Sequence, residues 1–154
     1  MATEIERRFL VRPELLPRPL PRGEKIEQGY LSVEPVVRVR ISSSSRGTRA
    51  RLTVKGPGLL KRSEFEYEIP VRDARALLKL CGGRTITKIR RVLGVYEVDE
   101  FTGRHRGLWI AEHEFHARGR KLPVPPKWIG KEITRDARYT NARMAAAGKV
   151  PART

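Results

Sequence analysis

The chain has 154 residues, 39% of them hydrophobic, and its 33 Lys+Arg against 17 Asp+Glu give a formal net charge of +16. This composition suits one compact domain with a modest core and excludes two full-size domains or global disorder, because aliphatic residues recur through most of the sequence. No apolar run approaches the roughly 18 residues of a membrane span, the start lacks the pattern of a signal peptide, and the single Cys81 excludes a disulfide framework or a multi-cysteine zinc site; a cytoplasmic protein without a membrane partner is expected.

Alternation of apolar and polar residues, broken by turn residues, predicts a mostly β chain. Predicted strands cover about residues 3–11, 26–34, 36–42, 49–55, 61–69, 85–91, 94–101 and 107–117, with a short one near 130–134, a number that suits a barrel or a sandwich. Pro13, Pro17, Pro19 and Pro21 make residues 12–23 a connection with at most one turn of helix. Residues 42–47 and Gly56-Pro57-Gly58 read as hairpin loops. Two short helices are expected. Asp73 caps one that ends at Cys81 before Gly82, with Leu77, Leu78 and Leu80 on its apolar side; Thr140 caps another that ends at Ala147 before Gly148. Cys81 reads as a small buried hydrophobe. Residues 1–148 form the single domain and residues 149–154 a frayed tail.

Charge follows phase within these strands. Glu4, Glu6 and Arg8 share one face of the first strand, while Ile5, Phe9 and Val11 take the other. Arg38 and Arg40, Arg51 and Lys55, and then Arg62, Glu64, Glu66 and Glu68 alternate with apolar neighbours in the same way, as do Lys88 and Arg90, Glu97 and Asp99, and Glu112 and Glu114. An ordinary sheet with one wet face also alternates, but on this chain such a face should be strongly basic. Instead these positions, with Glu132, hold ten of the 17 acids and only eight of the 33 bases. Acids two residues apart on a strand aim at one point. Such hard oxygen ligands suit Mg2+ or Mn2+, and arginine forks beside them suit phosphate oxygens.

The series Glu4-Ile5-Glu6-Arg7-Arg8, Glu27-Gln28-Gly29-Tyr30-Leu31, Val37-Arg38-Val39-Arg40, Thr53-Val54-Lys55-Gly56, Arg62-Ser63-Glu64-Phe65-Glu66, Lys88-Ile89-Arg90, Glu97-Val98-Asp99, Glu112-His113-Glu114 and Lys131-Glu132-Ile133-Thr134 with Arg138-Tyr139-Thr140-Asn141 resembles, in order, the blocks of the CYTH superfamily, the triphosphate tunnel metalloenzymes. The resemblance covers about residues 3–145 and is strongest to the small bacterial inorganic triphosphatase branch. It implies a mainly β (α+β) fold: a closed eight-stranded antiparallel β-barrel, a tunnel with a few short helices outside. It also implies that Glu4, Glu6, Glu112 and Glu114, then Glu64, Glu66 and Asp99, bind Mg2+ or Mn2+. Arg38, Arg40, Lys55, Arg62, Lys88 and Arg90 would hold phosphate oxygens, with Arg8 and Tyr30 as the catalytic pair. The implied activity is metal-assisted hydrolysis of inorganic tripolyphosphate, or a related triphosphate, to pyrophosphate and phosphate.

One residue departs from the pattern. The motif lysine is Arg8 here, and arginine grips oxygens as a fork without giving up its proton, so altered metal or pH preference, or reduced turnover, is expected. The same residues would also serve a triphosphate- or polyphosphate-binding module with weak or no turnover, or a class IV adenylate cyclase-like activity. The bases outside the strand faces imply non-specific, salt-sensitive contact with nucleic acid at most, or steering of an anionic substrate. His113, His116, Trp109 and Trp128 read as packed or rim residues, and no oligomeric state is implied.

Overall fold

The computed structural model describes residues 2–115 and 124–152, with their side chains except those of residues 2–5 and 115. Nine strands, β1 (Ala2–Val11), β2 (Glu24–Val33), β3 (Val36–Ser44), β4 (Gly47–Lys55), β5 (Lys61–Ile69), β6 (Thr85–Leu93), β7 (Tyr96–Thr102), β8 (Trp109–Phe115) and β9 (Ile129–Glu132), accompany two helices, α1 (Val71–Leu80) and α2 (Asn141–Ala147). The expected elements are all present. The end of the predicted 107–117 strand, with His116, lies outside the described residues.

The strands follow the order β5-β4-β3-β2-β6-β7-β8-β1-β9, and β5 pairs back to β1, so eight strands run round a ring. All the pairings are antiparallel, as an even number of strands permits. β1 carries the closure: one edge lies along β8, while the other is shared between β5, at residues 2–5, and β9, at Phe9 and Val11.

The inner faces change character along their length. Ile86, Phe101 and Ile110 share the inward phase of Lys88 and Arg90, Asp99, and Glu112, and they pack with Tyr30, Tyr139, Ala142, Met144 and Ala145 into a cluster that closes one end of the lumen beneath α2. Outside the ring, α1 covers Val39, Ile41 and Ala50, with Cys81 buried among them. Leu16, Trp128 and Ile129 cover Phe9, Val98 and Ala111 on the opposite side. The barrel is therefore apolar outside, where segments cover it, and charged inside, beyond the α2 end.

Three local expectations are corrected. The first helix begins at Val71 behind Pro70, so Asp73 lies in its first turn instead of capping it, and Leu80 is exposed while Ala74 takes the buried position. The serine loop contracts to a two-residue turn because β3 and β4 pair as far as Ser44 and Gly47, whose φ of 117° favours glycine. The tail is anchored as far as residue 152: Val150 packs on the α2 cluster, and Arg138 Nη1 donates to the Ala152 carbonyl. By contrast, Thr140 caps α2 by accepting from the Arg143 N–H, as its sequence position predicts.

Candidate active site

A cavity of about 1100 Å³ occupies the lumen, and its wall includes Glu6, Arg8, Tyr30, Arg38, Arg40, Lys55, Arg62, Glu64, Glu66, Lys88, Arg90, Glu112 and Glu114. Strand register explains why residues so distant in sequence meet. Glu6 lies opposite Glu114 and Arg8 opposite Glu112 on β1–β8, Tyr30 opposite Arg38 and Gln28 opposite Arg40 on β2–β3, and Lys55 opposite Glu64 on β4–β5. Of the expected site residues, Glu4 lies on β1 opposite Arg62, with its side chain outside the described set.

Asp99 is placed differently. It is fully buried and does not line the cavity; its carboxylate meets Lys88 Nζ at 2.7 Å and takes a two-pronged grip from Arg90, Nε at 2.7 Å and Nη2 at 2.9 Å. Both oxygens are thus committed to orienting two cavity cations rather than offered to a metal. Burial would raise Asp99, but Arg90 and Lys88 outweigh it and hold the carboxyl well below the usual range. Burial likewise opposes ionisation of Glu112, yet Arg90 and Arg8 hold it down at about 2. Glu66 accepts from Arg51 Nη1 at 2.7 Å and from Thr53 Oγ1 at 3.1 Å.

The cationic wall is crowded. Burial, then Arg38 and Arg90, press Arg40 below its ordinary value, and burial does the same to Lys88 with help from Arg90 and Arg40 against the pull of Asp99. Two guanidinium nitrogens in nearly inaccessible side chains, Arg8 Nη2 and Arg38 Nε, have no hydrogen-bond partner among the described residues. Leaving a buried donor unpaired costs about 1–3 kcal/mol; these two nitrogens lie just beneath the surface of a wall whose other cations, Arg40, Lys55, Arg62, Lys88 and Arg90, line the same cavity.

Arg8 and Tyr30, expected as a pair, both line the cavity but share no hydrogen bond among the described residues. Arg8 Nη1 donates to the Tyr139 carbonyl at 2.7 Å and its Nε to Glu112 at 3.3 Å. Tyr30 Oη instead accepts from Gln28 Nε2 at 2.8 Å, and burial raises its phenol above the ordinary value against the opposing charges of Arg38 and Arg40. Two further polar residues reach the site that the sequence assigns no role: Gln28, and Asn141, whose Oδ1 accepts from Lys88 Nζ at 3.1 Å. Gln28 carried a signal, a polar residue in the inward phase of Tyr30; Asn141 reaches the site only because α2 packs across the barrel end, which strand phase does not reveal.

Comparison with known proteins places these features in context. The model of the CYTH domain matches residues 2–142. An inorganic triphosphatase from Acetivibrio thermocellus is 38% identical over 152 residues, 94% of either chain, and an inorganic triphosphatase from Nitrosomonas europaea is 33% identical over 93% of this chain and 97% of its own. A crystal structure of an inorganic triphosphatase superposes with a TM-score of 0.64 at 31% identity, covering 94% of this chain and 95% of that one. A structure from Pyrococcus horikoshii, at 22% identity and a TM-score of 0.53, shares the fold.

Proposed function

The chain belongs to the CYTH domain family, and from that premise we propose that it hydrolyses inorganic tripolyphosphate to pyrophosphate and phosphate within the barrel lumen. The observation that carries this reading is the cavity wall itself, on which Arg8, Arg38, Arg40, Lys55, Arg62, Lys88 and Arg90 converge from β1, β3, β4, β5 and β6. A linear chain of three phosphates presents charged oxygens at successive depths of the cavity, and these cations meet them from several strands. Their contribution is position and electrostatic stabilisation of charge on the departing pyrophosphate. Asp99 holds Lys88 and Arg90 in place for that purpose, and Tyr30, which keeps its proton, donates to a phosphate oxygen.

The acidic wall fits a hard divalent cation. Among the described residues no three His, Cys, Asp or Glu side chains stand close enough to hold a metal ion by themselves. Glu6 and Glu114, however, face each other in register on the lumen side, and Mg2+ is commonly held by one or two carboxylates together with phosphate oxygens and water. Glu6 and Glu114 would hold Mg2+ or Mn2+ together with phosphate oxygens and water, Glu64 and Glu112 line the same cavity, and the side chain of Glu4, also expected as a ligand, lies outside the described residues. A divalent ion there supplies charge neutralisation and Lewis acidity at the phosphate.

An arginine at this position grips oxygen as a fork where the motif has a lysine, which leaves turnover dependent on the other groups. An Arg8→Lys variant no faster at any pH would count against the view that this arginine limits turnover. The activity itself is tested by phosphate release from tripolyphosphate with Mg2+, with Mn2+ and without metal, beside ATP and pyrophosphate. Metal-dependent release that favours tripolyphosphate and is lost in Glu6→Ala is expected. Binding without release would point to a capture module, and cyclic nucleotide formed from ATP to a cyclase.

A further inference from the structure

We infer that Gln28 is a positioning residue for this reaction: its buried amide joins Tyr30 to Arg40 and fixes the direction in which the Tyr30 hydroxyl donates. The inference rests on the proposed tripolyphosphate hydrolysis and adds a residue to it. Gln28 is wholly inaccessible, on the inward face of β2 two residues before Tyr30, and lies opposite Arg40 in the β2–β3 register. Arg40 Nε donates to Gln28 Oε1 at 3.0 Å, and Gln28 Nε2 donates to Tyr30 Oη at 2.8 Å.

The chain of donors has only one polarity. A guanidinium has no acceptor, so Arg40 requires the carbonyl end of the amide to face it, and the amide nitrogen must then face Tyr30. Turning the amide over would set two donors against each other beside Arg40. The phenol oxygen therefore accepts from Gln28, and its own hydrogen has no acceptor among the described residues. Tyr30 lines the cavity with Arg38 and Arg40, so that hydrogen is kept for an oxygen in the lumen. On the other side, among the described residues Arg40 gives only its Nε, to Gln28, and keeps its two terminal nitrogens for the same anion. A buried amide with no contact to the substrate thus sets two groups that do touch it.

The test is a double-mutant cycle of Gln28→Glu and Gln28→Met in the parent and in Tyr30→Phe, with kcat and KM measured on tripolyphosphate and Tm measured to certify folding. A carboxylate at position 28 still accepts from Arg40 but also accepts from Tyr30, which turns the hydroxyl away from the lumen. Gln28→Glu is expected to lower kcat about tenfold, one hydrogen bond's worth, only where Tyr30 keeps its hydroxyl. Its KM rises in both backgrounds because a negative charge then stands beside Arg40. Gln28→Met, which frees Arg40, raises KM and lowers kcat by less than Gln28→Glu. An unchanged kcat in Gln28→Glu, or an equal loss in Tyr30→Phe, overturns the inference. If Gln28→Glu does not fold, the Gln28→Met cycle decides, with a kcat loss independent of Tyr30 as the contradicting result. If the parent itself releases no phosphate, the function reading fails separately. The cycle is then read as the tripolyphosphate dissociation constant by calorimetry: coupling between positions 28 and 30 supports the positioning role and simple additivity overturns it.

Discussion

At the residue scale, two positions test how the site works. Arg8 lines the cavity and is held there by the Tyr139 carbonyl and Glu112, and the role proposed for it is to grip a phosphate oxygen. Arg8→Met is expected to weaken tripolyphosphate binding by about 1.5–3 kcal/mol, roughly ten- to hundredfold, as read by calorimetry; an unchanged affinity would remove Arg8 from the substrate contacts. Asp99 is a different kind of residue, the shared counter-ion of Lys88 and Arg90 behind the cavity wall. Asp99→Asn leaves two buried cations undercompensated and is expected to cost about 3–5 kcal/mol of stability in the free protein. Tripolyphosphate supplies replacement charge, so the ligand should raise Tm by more in this variant than in the parent. An equal or smaller thermal shift would mean that Asp99 does not balance the phosphate-binding wall.

At the scale of elements, the fold was legible because strand alternation and turn residues act locally, and every predicted strand and both helices are found. Phase also disclosed the lumen wall: Glu6, Arg38, Arg40, Lys88, Arg90 and Glu112 read as one-sided charges and do line one cavity. Phase did not disclose depth. Asp99 shares the inward face with Glu97, yet it is covered by Lys88 and Arg90, because cross-strand neighbours decide which inward group meets the cavity. Nor could it show that Tyr30 is turned to Gln28 and not to Arg8, a matter of side-chain direction within a shared face. The α1 packing explains the Gly29 that separates these two residues: a Cβ there would stand 2.7 Å from Cys81 Sγ and 3.0 Å from Leu78 Cδ2. Gly29→Ala should therefore force α1 outward and cost about 1–3 kcal/mol in denaturant unfolding, with a larger loss than for alanine at Gly56, where a Cβ would meet nothing closer than 3.4 Å.

At the scale of the whole molecule, the chain carries a net charge of +16, and several acids of the lumen, Glu6, Glu66, Glu97 and Glu112 among them, are paired with arginines. Long-range attraction of a polyanion follows, so kcat/KM for tripolyphosphate should fall steeply as ionic strength rises to about 0.5 M, while kcat changes little. The buried carboxylates set the acid limit. Asp99 and Glu112 ionise more readily folded than unfolded, so their stabilisation is fully present above the ordinary carboxylate range and is lost as the pH falls towards their depressed values. Unfolding free energy should decline from about pH 5 towards pH 2, and the decline should be shallower in Asp99→Asn. The most direct test of the central claim is phosphate release from tripolyphosphate by the parent chain with and without Mg2+ or Mn2+, set beside Glu6→Ala. Metal-dependent release of one phosphate and one pyrophosphate per tripolyphosphate, absent from Glu6→Ala, is the predicted result. A folded parent that binds tripolyphosphate but releases no phosphate with either metal would contradict it.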